Sequence, residues 1–255
     1  ASGPAPAAPQ EKAQGAEPPV TPAPEQAKAP AEEKAGQSQA KPGSLAALME
    51  QDTVLILALQ DRGVSMGSGF FIAKDTILTN AHVVGAASQA VFINKKIGQV
   101  RNATVLLRTQ EQGLDFAVLK TDPMDVTPLK ISTQTVERTT KVSAWGYPGM
   151  VANSDPKFLK LLHGDASSAP EVVYTEGTVS VILDRRPPII VHSATVSQGN
   201  SGGPLVNEKG TVVGINTMIQ LDNQSYRQSS LAISSPTITA FLKANNVPFE
   251  ADDSK

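Results

Sequence analysis

The feature that most constrains the fold of this chain is a succession of short segments rich in Val, Ile, Leu and Thr, each bounded by Gly, Asp or Asn. Such segments are typical of β-strands joined by turns. They form two groups of six, over residues 53–59, 69–73, 76–84, 90–93, 104–108 and 116–121, and over residues 129–132, 141–145, 172–183, 189–196, 211–219 and 230–234. Helical periodicity is confined to residues 45–51 and 237–246. The pattern predicts an all-β fold of antiparallel barrels with a C-terminal helix.

The first 43 residues have a different composition. They hold nine of the nineteen prolines, contain no aromatic residue and have Val20 as their only branched aliphatic residue. Such a segment has too little apolar surface to offset its ordering entropy, so we predict a disordered Pro/Ala-rich linker over residues 1–43. It is either a tether or an uninteresting tail. The folded domain is predicted over residues 44–250, with the first barrel at 44–125 and the second barrel and helix at 126–250.

Composition argues against several classes of function. The chain has no cysteine and only three scattered histidines, which leaves no obvious metal cluster. Its 22 basic and 24 acidic residues provide no basic patch for nucleic acid or an anionic membrane. No run approaches the roughly 20 apolar residues of a membrane-spanning helix. We therefore expect no metal, cofactor, nucleic-acid partner or membrane span. Because the chain begins at Ala1 without Met, a signal peptide or a membrane tether is possible upstream.

Three residues are candidates for catalysis. Ser201 lies in a glycine-rich turn over residues 198–205, His82 lies at the end of an apolar segment, and Asp115 directly precedes another. Each has an ordinary structural explanation on its own, as a turn residue or a strand-end residue. Together they supply what acyl transfer needs: a hydroxyl, a base to activate it and a carboxylate to orient that base.

These segments resemble the chymotrypsin-like serine peptidases, and most closely the bacterial HtrA/Deg type. The resemblance covers residues 54–246 and rests on Gly67-Ser68-Gly69-Phe70, Thr79-Asn80-Ala81-His82-Val83-Val84, Asp115-Phe116-Ala117-Val118-Leu119, Gly199-Asn200-Ser201-Gly202-Gly203-Pro204-Leu205 and Gly214-Ile215-Asn216-Thr217. It implies two six-stranded barrels with the catalytic residues between them.

The resemblance also implies a role for each catalytic residue. His82 would act as general base and then general acid, Asp115 would orient His82, and Ser201 would be the nucleophile. The backbone N–H groups of Gly199 and Ser201 would form the oxyanion hole.

By the same resemblance, a group of residues forms the substrate-binding site. Thr195 falls where trypsin-like members keep an acidic residue, so cleavage after Lys or Arg is not expected. Ile219 falls at the pocket entrance where members with large pockets keep glycine. We expect a shallow pocket for small or medium aliphatic side chains, and pairing of residues 217–219 with an extended peptide. The expected substrate-binding residues are Thr195, Ser197, Asn216, Thr217, Met218 and Ile219.

The sequence departs from the family pattern at three places. Asn200 replaces the Asp with which the digestive members pair a new N-terminus, so activation by that ion pair is not expected. The residues after Asn246 are too few for the PDZ domain of many HtrA members. The segment 151–170 is longer than expected and is either a gate for substrate or, as we favour, an inert surface insertion.

These features predict a serine endopeptidase that cleaves unfolded or flexible polypeptides without a cofactor. Two alternatives remain: a catalytically silent peptide-binding module on the same fold, and an esterase-type acyl hydrolase. The absence of cysteine and the long Pro/Ala-rich segment favour a bacterial cell-envelope location, periplasmic or secreted. The natural substrate and the oligomeric state do not follow from the sequence.

Overall fold

The computed structural model describes residues 41, 43–61, 63–149, 156–163, 165–217 and 230–254. Apart from residues 41 and 43, the predicted disordered linker lies outside the described residues. The same is true of Met218 and Ile219 of the predicted substrate-binding site and of residues 151–155 of the predicted insertion.

The first six strands form a closed antiparallel barrel in the order β1-β2-β3-β6-β5-β4, which closes where β4 pairs with β1. Successive side chains of a strand point to opposite faces. In β1, Val54 and Ile56 accordingly belong to the interior core of the barrel, whereas Leu55 and Leu57 belong to a separate apolar cluster. The strands are β1 (Thr53–Gln60), β2 (Gly63–Ala73), β3 (Thr76–Thr79), β4 (Gln89–Ile93), β5 (Arg101–Thr109) and β6 (Phe116–Lys120).

The second barrel has the order β11-β8-β9-β10-β13-β12, and it closes where β12 pairs with β11. Two short strands extend the sheet beyond the barrel, because β7 pairs in parallel with β12 and β14 pairs in parallel with β7. The strands are β7 (Ile131–Ser132), β8 (Lys141–Gly146), β9 (Val173–Leu183), β10 (Ile189–His192), β11 (Pro204–Asn207), β12 (Val212–Asn216), β13 (Ser230–Ser234) and β14 (Ala251–Asp252).

The prediction of two six-stranded barrels with a C-terminal helix is confirmed, but it missed the helix Pro156–Leu162 and the strand β14, and two of its predicted strands were wrong. Only Ile131–Ser132 of the predicted strand 129–132 is extended, and it lies outside the barrel; the sixth barrel strand is β11, next to the Ser201 turn. The predicted strand 76–84 ends at Thr79, and Ala81–Val84 form the short helix α2. An apolar run alone does not distinguish a strand from a helical turn, whereas an Asn in extended conformation at position 80 suits a helix N-terminus.

Two longer helices complete the core. α1 (Leu45–Asp52) begins at Ser44, whose hydroxyl accepts a hydrogen bond from the Ala47 N–H at 3.2 Å, and α4 (Ser235–Ala244) follows β13 directly. Both helices pack into one apolar cluster that contains strands of both barrels. The buried members are Met49, Phe70, Ile72, Leu78, Phe116, Val118, Leu129, Ile131, Trp145, Ile189, Val191, Val206, Val212, Ile215, Leu231, Ile233, Ile238 and Leu242. This shared cluster joins the barrels. No helix in the described ranges has the length and apolar character to cross a membrane.

The described part of the long segment after β8 packs on the first barrel. Its helix α3 (Pro156–Leu162) buries Leu161 in a cluster with Leu55, Ile93 and Tyr147, and a 3-10 turn follows at Ala166–Ser168. Next to this contact lies an apolar cavity of about 620 Å³, lined by residues that include Leu57, Leu161 and Ala166. None of the predicted site residues lines this cavity.

Candidate active site

The helix α2 presents His82 to the carboxylate of Asp115. Nδ1 of His82 lies 2.5 Å from Oδ2 of Asp115, and the backbone N–H of His82 donates to Oδ1 at 3.0 Å. Asn80, which directly precedes α2, donates from its side-chain amide to the Asp115 carbonyl oxygen at 2.7 Å. The loop before β6 and the start of α2 are thus joined by three hydrogen bonds, which fix the imidazole relative to the carboxylate.

The second barrel contributes a further donor to the same carboxylate. The hydroxyl of Thr217, directly after β12, donates to Oδ2 of Asp115 at 3.2 Å. Burial is the strongest single influence on this carboxyl group and acts to raise its pKa. The hydrogen bonds and charge of His82, together with the Thr217 hydroxyl, outweigh burial and hold the pKa of Asp115 below its usual value. Asp115 is therefore a carboxylate at neutral pH, which makes it an acceptor for the His82 Nδ1–H.

Ser201 lies across the same junction between the barrels. Its carbonyl oxygen accepts a hydrogen bond from the Ser68 N–H in β2 at 2.8 Å. A β-carbon placed on Gly67 would lie 2.5 Å from Cγ2 of Val83 and 3.1 Å from the backbone carbonyl oxygen of Ser201. Only a glycine therefore fits between α2 and the Ser201 turn. The fold therefore brings the segments of all three predicted catalytic residues together.

One expected contact is not formed. Among the described residues, the Ser201 hydroxyl makes no hydrogen bond to His82 or to another group, and Ser201 is only 5% exposed. The His82 side chain, in contrast, is 36% exposed. Hydrogen bonds between a nucleophile and its base are often long or poorly aligned without substrate.

In the turn 198–202, the backbone N–H groups of Gly199 and Ser201 are candidates for an oxyanion hole. The Gln198 carbonyl accepts from the Gly149 N–H at 2.5 Å, and the Asn200 carbonyl accepts from the Gly203 N–H at 2.9 Å. Because C=O and N–H point in opposite directions in a trans peptide, these bonds also fix the N–H groups of Gly199 and Ser201. Neither N–H has an acceptor within the described ranges. Two free N–H groups separated by one residue could hold a single negatively charged oxygen.

The conformation of this turn requires glycine at two of its positions. Gly199 has φ +100° and Gly202 has φ +84°, both in the region that L-residues with a side chain rarely adopt. A β-carbon on Gly199 would lie 2.3 Å from the Tyr147 carbonyl oxygen, and one on Gly202 would lie 2.2 Å from the Ser68 carbonyl oxygen. The glycines therefore let the turn contact the backbone of both barrels.

The predicted substrate-binding residues differ in accessibility. Thr195 and Ser197 are exposed, and the Thr195 carbonyl oxygen accepts from the Thr175 hydroxyl at 2.7 Å. Asn216 is fully buried, and its amide donates to the carbonyl oxygens of Gly203 and Pro204, both at 3.1 Å. Thr217 is also buried, and its N–H donates to the Leu231 carbonyl oxygen. Asn216 therefore supports the turn after Ser201.

The sequence predicts no catalytic or positioning role for three residues at this junction, Asn80, Ser68 and Thr217. Asn80 and Ser68 lie in the motifs that carry the family resemblance, but the sequence does not indicate which groups they contact. Thr217 was predicted only as a substrate-binding residue, and its bond to Asp115 joins residues 102 apart in sequence. In the ranges the structure describes, no group of three or more His, Asp or Glu side chains could hold a metal ion.

Comparisons with known proteins agree with this geometry. A family model described as "Trypsin-like peptidase domain" matches residues 67–215. The putative serine protease HhoA of Synechocystis sp. is 34% identical over 169 residues, which are 63% of this chain and 39% of the relative. A probable periplasmic serine endoprotease DegP-like of Hahella chejuensis is 33% identical over 175 residues, which are 66% of this chain and 33% of the relative. This chain thus spans less than half the length of these relatives.

The fold is also found in solved structures. A serine endoprotease from Yersinia pestis has a TM-score of 0.60 with 24% identity, covering 80% of this chain and 67% of that chain. At this identity, the likeness shows the fold alone. The family model, in contrast, matches more than half of the chain and spans His82, Asp115 and Ser201. The chain belongs to the trypsin-like peptidase domain family, and its relatives include proteases of the HtrA/DegP-like type.

Proposed function

We propose that this domain is a serine endopeptidase that hydrolyses peptide bonds in unfolded or flexible polypeptides. In this proposal Ser201 is the nucleophile, His82 is the general base and acid, and Asp115 orients His82. The observation that carries the proposal is the 2.5 Å contact between His82 Nδ1 and Asp115 Oδ2 beside a turn with two free N–H groups. Family membership supports the same reaction.

The first step uses the tautomer that Asp115 selects. With its proton on Nδ1, the His82 imidazole has a free electron pair on Nε2, which accepts the Ser201 hydroxyl proton as Oγ attacks the peptide carbonyl carbon. The protonated His82 then gives this proton to the leaving amine as the C–N bond breaks. A water molecule hydrolyses the acyl group on Ser201 by the same proton transfers.

The free N–H groups of Gly199 and Ser201 would stabilise the oxyanion that forms in each step. They are held in place before the reaction, so they need no reorganisation as the charge develops. Removal of one such donor typically costs about 3 kcal/mol of transition-state stabilisation. This stabilisation of the oxyanion would be a large part of catalysis.

We also propose a preference for small or medium aliphatic side chains at the residue before the scissile bond. Thr195 and Ser197 offer hydroxyl groups but no carboxylate to pair with Lys or Arg. Digestion of a peptide library, with the products identified by mass spectrometry, is expected to show cleavage after Val or Ala. A clear preference for Lys or Arg would contradict the proposal.

A catalytically silent peptide-binding module is the second candidate function. The observation that favours it is that the Ser201 hydroxyl has no hydrogen bond to His82 among the described residues. An esterase would share the nucleophile with the peptidase and would differ from it only in substrate.

Labelling with a fluorophosphonate probe separates the enzyme from the binding module. We expect stoichiometric labelling of the wild-type chain and none of Ser201→Ala. Absence of labelling under conditions that tag a control peptidase would favour the binding module. Parallel assays with a casein substrate and a short-chain ester would then separate peptidase from esterase.

For location, we propose the bacterial cell envelope. The support is that relatives are named periplasmic endoproteases. Fractionation of the source cells, with detection by an antibody against this domain, is expected to place the protein outside the cytoplasm. Recovery with the cytoplasmic fraction would contradict this proposal.

A further inference from the structure

The oxyanion turn receives one side-chain hydrogen bond from the other barrel. The hydroxyl of Ser68, on β2 of the first barrel, donates to the carbonyl oxygen of Gly199 at 2.6 Å. The same hydroxyl accepts from the Tyr147 N–H at 2.9 Å. Ser68 is fully buried, and its partner Gly199 is 131 residues away in the sequence.

The carbonyls of this turn are otherwise held by main-chain donors. Gln198, Asn200 and Ser201 accept from the N–H groups of Gly149, Gly203 and Ser68, respectively. The Gly199 carbonyl instead accepts from the Ser68 side chain, and the N–H of the same peptide, that of Asn200, donates to the Ser197 carbonyl at 3.0 Å within the turn. Its peptide plane lies between the planes that carry the two free N–H groups, so a rotation of this plane would change the angle between them.

Ser68 cannot easily move away from this position. Its N–H donates to the Ser201 carbonyl at 2.8 Å, and its carbonyl accepts from the Thr79 hydroxyl at 2.6 Å. A β-carbon on Gly146 would lie 2.7 Å from the Ser68 hydroxyl oxygen, and one on Gly203 would lie 3.2 Å from the Ser68 β-carbon. The hydroxyl is thus enclosed by glycine backbone and aimed at Gly199.

We propose that Ser68 is a positioning residue for the oxyanion hole, which keeps the N–H groups of Gly199 and Ser201 convergent through its bond to the Gly199 carbonyl. This inference rests on the proposed peptidase function and adds a residue that does not touch substrate. Gly199, with no side chain and φ +100°, resists rotation less than other residues do. A bond from the first barrel also makes the hole depend on the packing of both barrels.

Loss of the hydroxyl would leave two buried groups without their partner, the Gly199 carbonyl and the Tyr147 N–H. Buried backbone groups are rarely left unpaired. The turn would therefore relax toward Tyr147, whose freed N–H could donate to the Gly199 carbonyl. Such a shift would turn the Gly199 N–H away from the oxyanion and slow the attack of Ser201.

The test compares labelling rate constants for the 255-residue chain and two variants. Fluorophosphonate labelling depends on the oxyanion hole, because negative charge develops on the phosphoryl oxygen. We expect Ser68→Ala to lower the rate constant about 10- to 100-fold. This effect is no larger than the one caused by removing a complete oxyanion-hole donor. Ser143→Ala is the matched control, because Ser143 is also buried and its hydroxyl accepts one hydrogen bond, from Trp145 Nε1 at 2.8 Å. It is expected to label at the wild-type rate.

Two further measurements distinguish positioning from a structural role. A peptidyl boronate mimics the tetrahedral intermediate, so Ser68→Ala should lose affinity for it about as much as it loses labelling rate, while the KM for a peptide substrate stays within about twofold. Urea unfolding reports stability separately. The inference would be overturned if Ser68→Ala were less stable than the wild type but were labelled at the wild-type rate, as is expected of Ser143→Ala.

The outcomes also separate this inference from the proposed function. If the wild-type chain is not labelled, the peptidase proposal fails; if it is labelled and Ser68→Ala labels equally fast, only the role of Ser68 fails. Should Ser68→Ala not fold, Ser68→Cys keeps a weak donor and is expected to label at a rate below that of the wild type. Wild-type labelling by folded Ser68→Cys would then contradict the inference.

Discussion

The carboxylate of Asp115 receives donors from both barrels at once. Two come from His82 on the first barrel, and the third is the Thr217 hydroxyl on the second. A single side chain thus connects the orientation of the base to the packing of the barrels. Its lowered pKa follows from these donors, which outweigh the opposing effect of burial.

Asp115→Asn is expected to lower the fluorophosphonate labelling rate about 10⁴-fold, as in the corresponding change in a serine protease triad. The amide can present N–H to Nδ1 of His82, and this favours the tautomer with its proton on Nε2, which cannot accept the Ser201 proton. Thr217→Val keeps the carboxylate and is expected to lower the rate about 10-fold or less. Equal rates for wild type and Asp115→Asn would show that Asp115 does not orient the base.

His192 is a buried histidine outside the proposed mechanism. It ends β10, it is 1% exposed, and neither ring nitrogen has a hydrogen bond among the described residues. Burial lowers its pKa to about 4, although the Ala194 backbone and the Asn216 side chain act in the opposite direction. The ring is therefore neutral in the folded protein at neutral pH.

This neutral histidine predicts a loss of stability in mild acid. Between the unfolded pKa of 6.5 and the folded value of about 4, the unfolded chain binds the extra proton, so the contribution of His192 to stability falls as the pH falls. The loss reaches about 3 kcal/mol near pH 4. Urea unfolding at pH 7, 5.5 and 4.5 is expected to show that His192→Leu gains stability relative to wild type as the pH falls. A difference in stability between His192→Leu and wild type that stays constant from pH 7 to pH 4.5 would contradict this account.

At the scale of elements, the short strands and the two longer helices could be predicted because each is a local pattern. The two elements next to His82 and Ser201 could not. The helix α2 is a four-residue turn within an apolar run, and Asn80 uses its amide on Asp115 rather than on the helix. The strand β11 begins at Pro204 directly after two glycines, which together indicate a turn, and only its pairing with β8 and β12 makes it a barrel strand. Both elements depend on contacts with residues that are distant in the sequence.

The last residue of α1 provides a test at this scale. Both carboxylate oxygens of Asp52 are buried and have no hydrogen bond among the described residues. Burial raises the pKa of Asp52 to about 8. The folded protein keeps this carboxyl protonated up to about pH 8, whereas the unfolded chain loses the proton near pH 4. Stability from this group is therefore complete below pH 4 and is lost as the pH rises toward 8.

Asp52→Asn is expected to remove this pH dependence. Relative to wild type, the variant should gain stability between pH 4 and pH 8, by up to about 5 kcal/mol. Urea unfolding at pH 5, 6.5 and 8 measures the slope, which is informative even though a buried amide has its own desolvation cost. Glu50→Gln removes a partly exposed carboxylate that is paired with Lys96, so it is the control for loss of a surface carboxylate from the same helix. Parallel slopes for Asp52→Asn and wild type would contradict the burial argument.

For the whole molecule, the resemblance predicted His82, Asp115 and Ser201 because they lie in contiguous motifs. The contacts between the barrels were not predictable in this way. Ser68 to Gly199 and Thr217 to Asp115 join residues more than 100 positions apart, and neither residue type indicates its partner. Such contacts follow from how the barrels pack through their shared cluster, which depends on the complete fold.

The shared cluster also predicts how the molecule unfolds. The only tryptophan, Trp145, lies in this cluster on β8 of the second barrel, so its fluorescence reports the unfolding of that barrel. Leu78 on β3 belongs to the shared cluster, whereas Leu119 on β6 belongs to the core of the first barrel. Both side chains are fully buried, so each change to Ala should cost about 2–5 kcal/mol.

If the barrels unfold as one unit, Leu119→Ala lowers the urea midpoint of the Trp145 transition as much as it lowers that of the far-ultraviolet circular dichroism. We expect this result, because α1, α4 and strands of both barrels bury their apolar faces in one cluster. Leu78→Ala is the positive control, since it removes contacts in the cluster that contains Trp145. A Trp145 midpoint that Leu119→Ala leaves unchanged, while the dichroism midpoint falls, would mean that the barrels unfold independently. The proposed site takes residues from both barrels, so cooperative unfolding also predicts that Ser201 labelling disappears at the same urea concentration as the Trp145 signal.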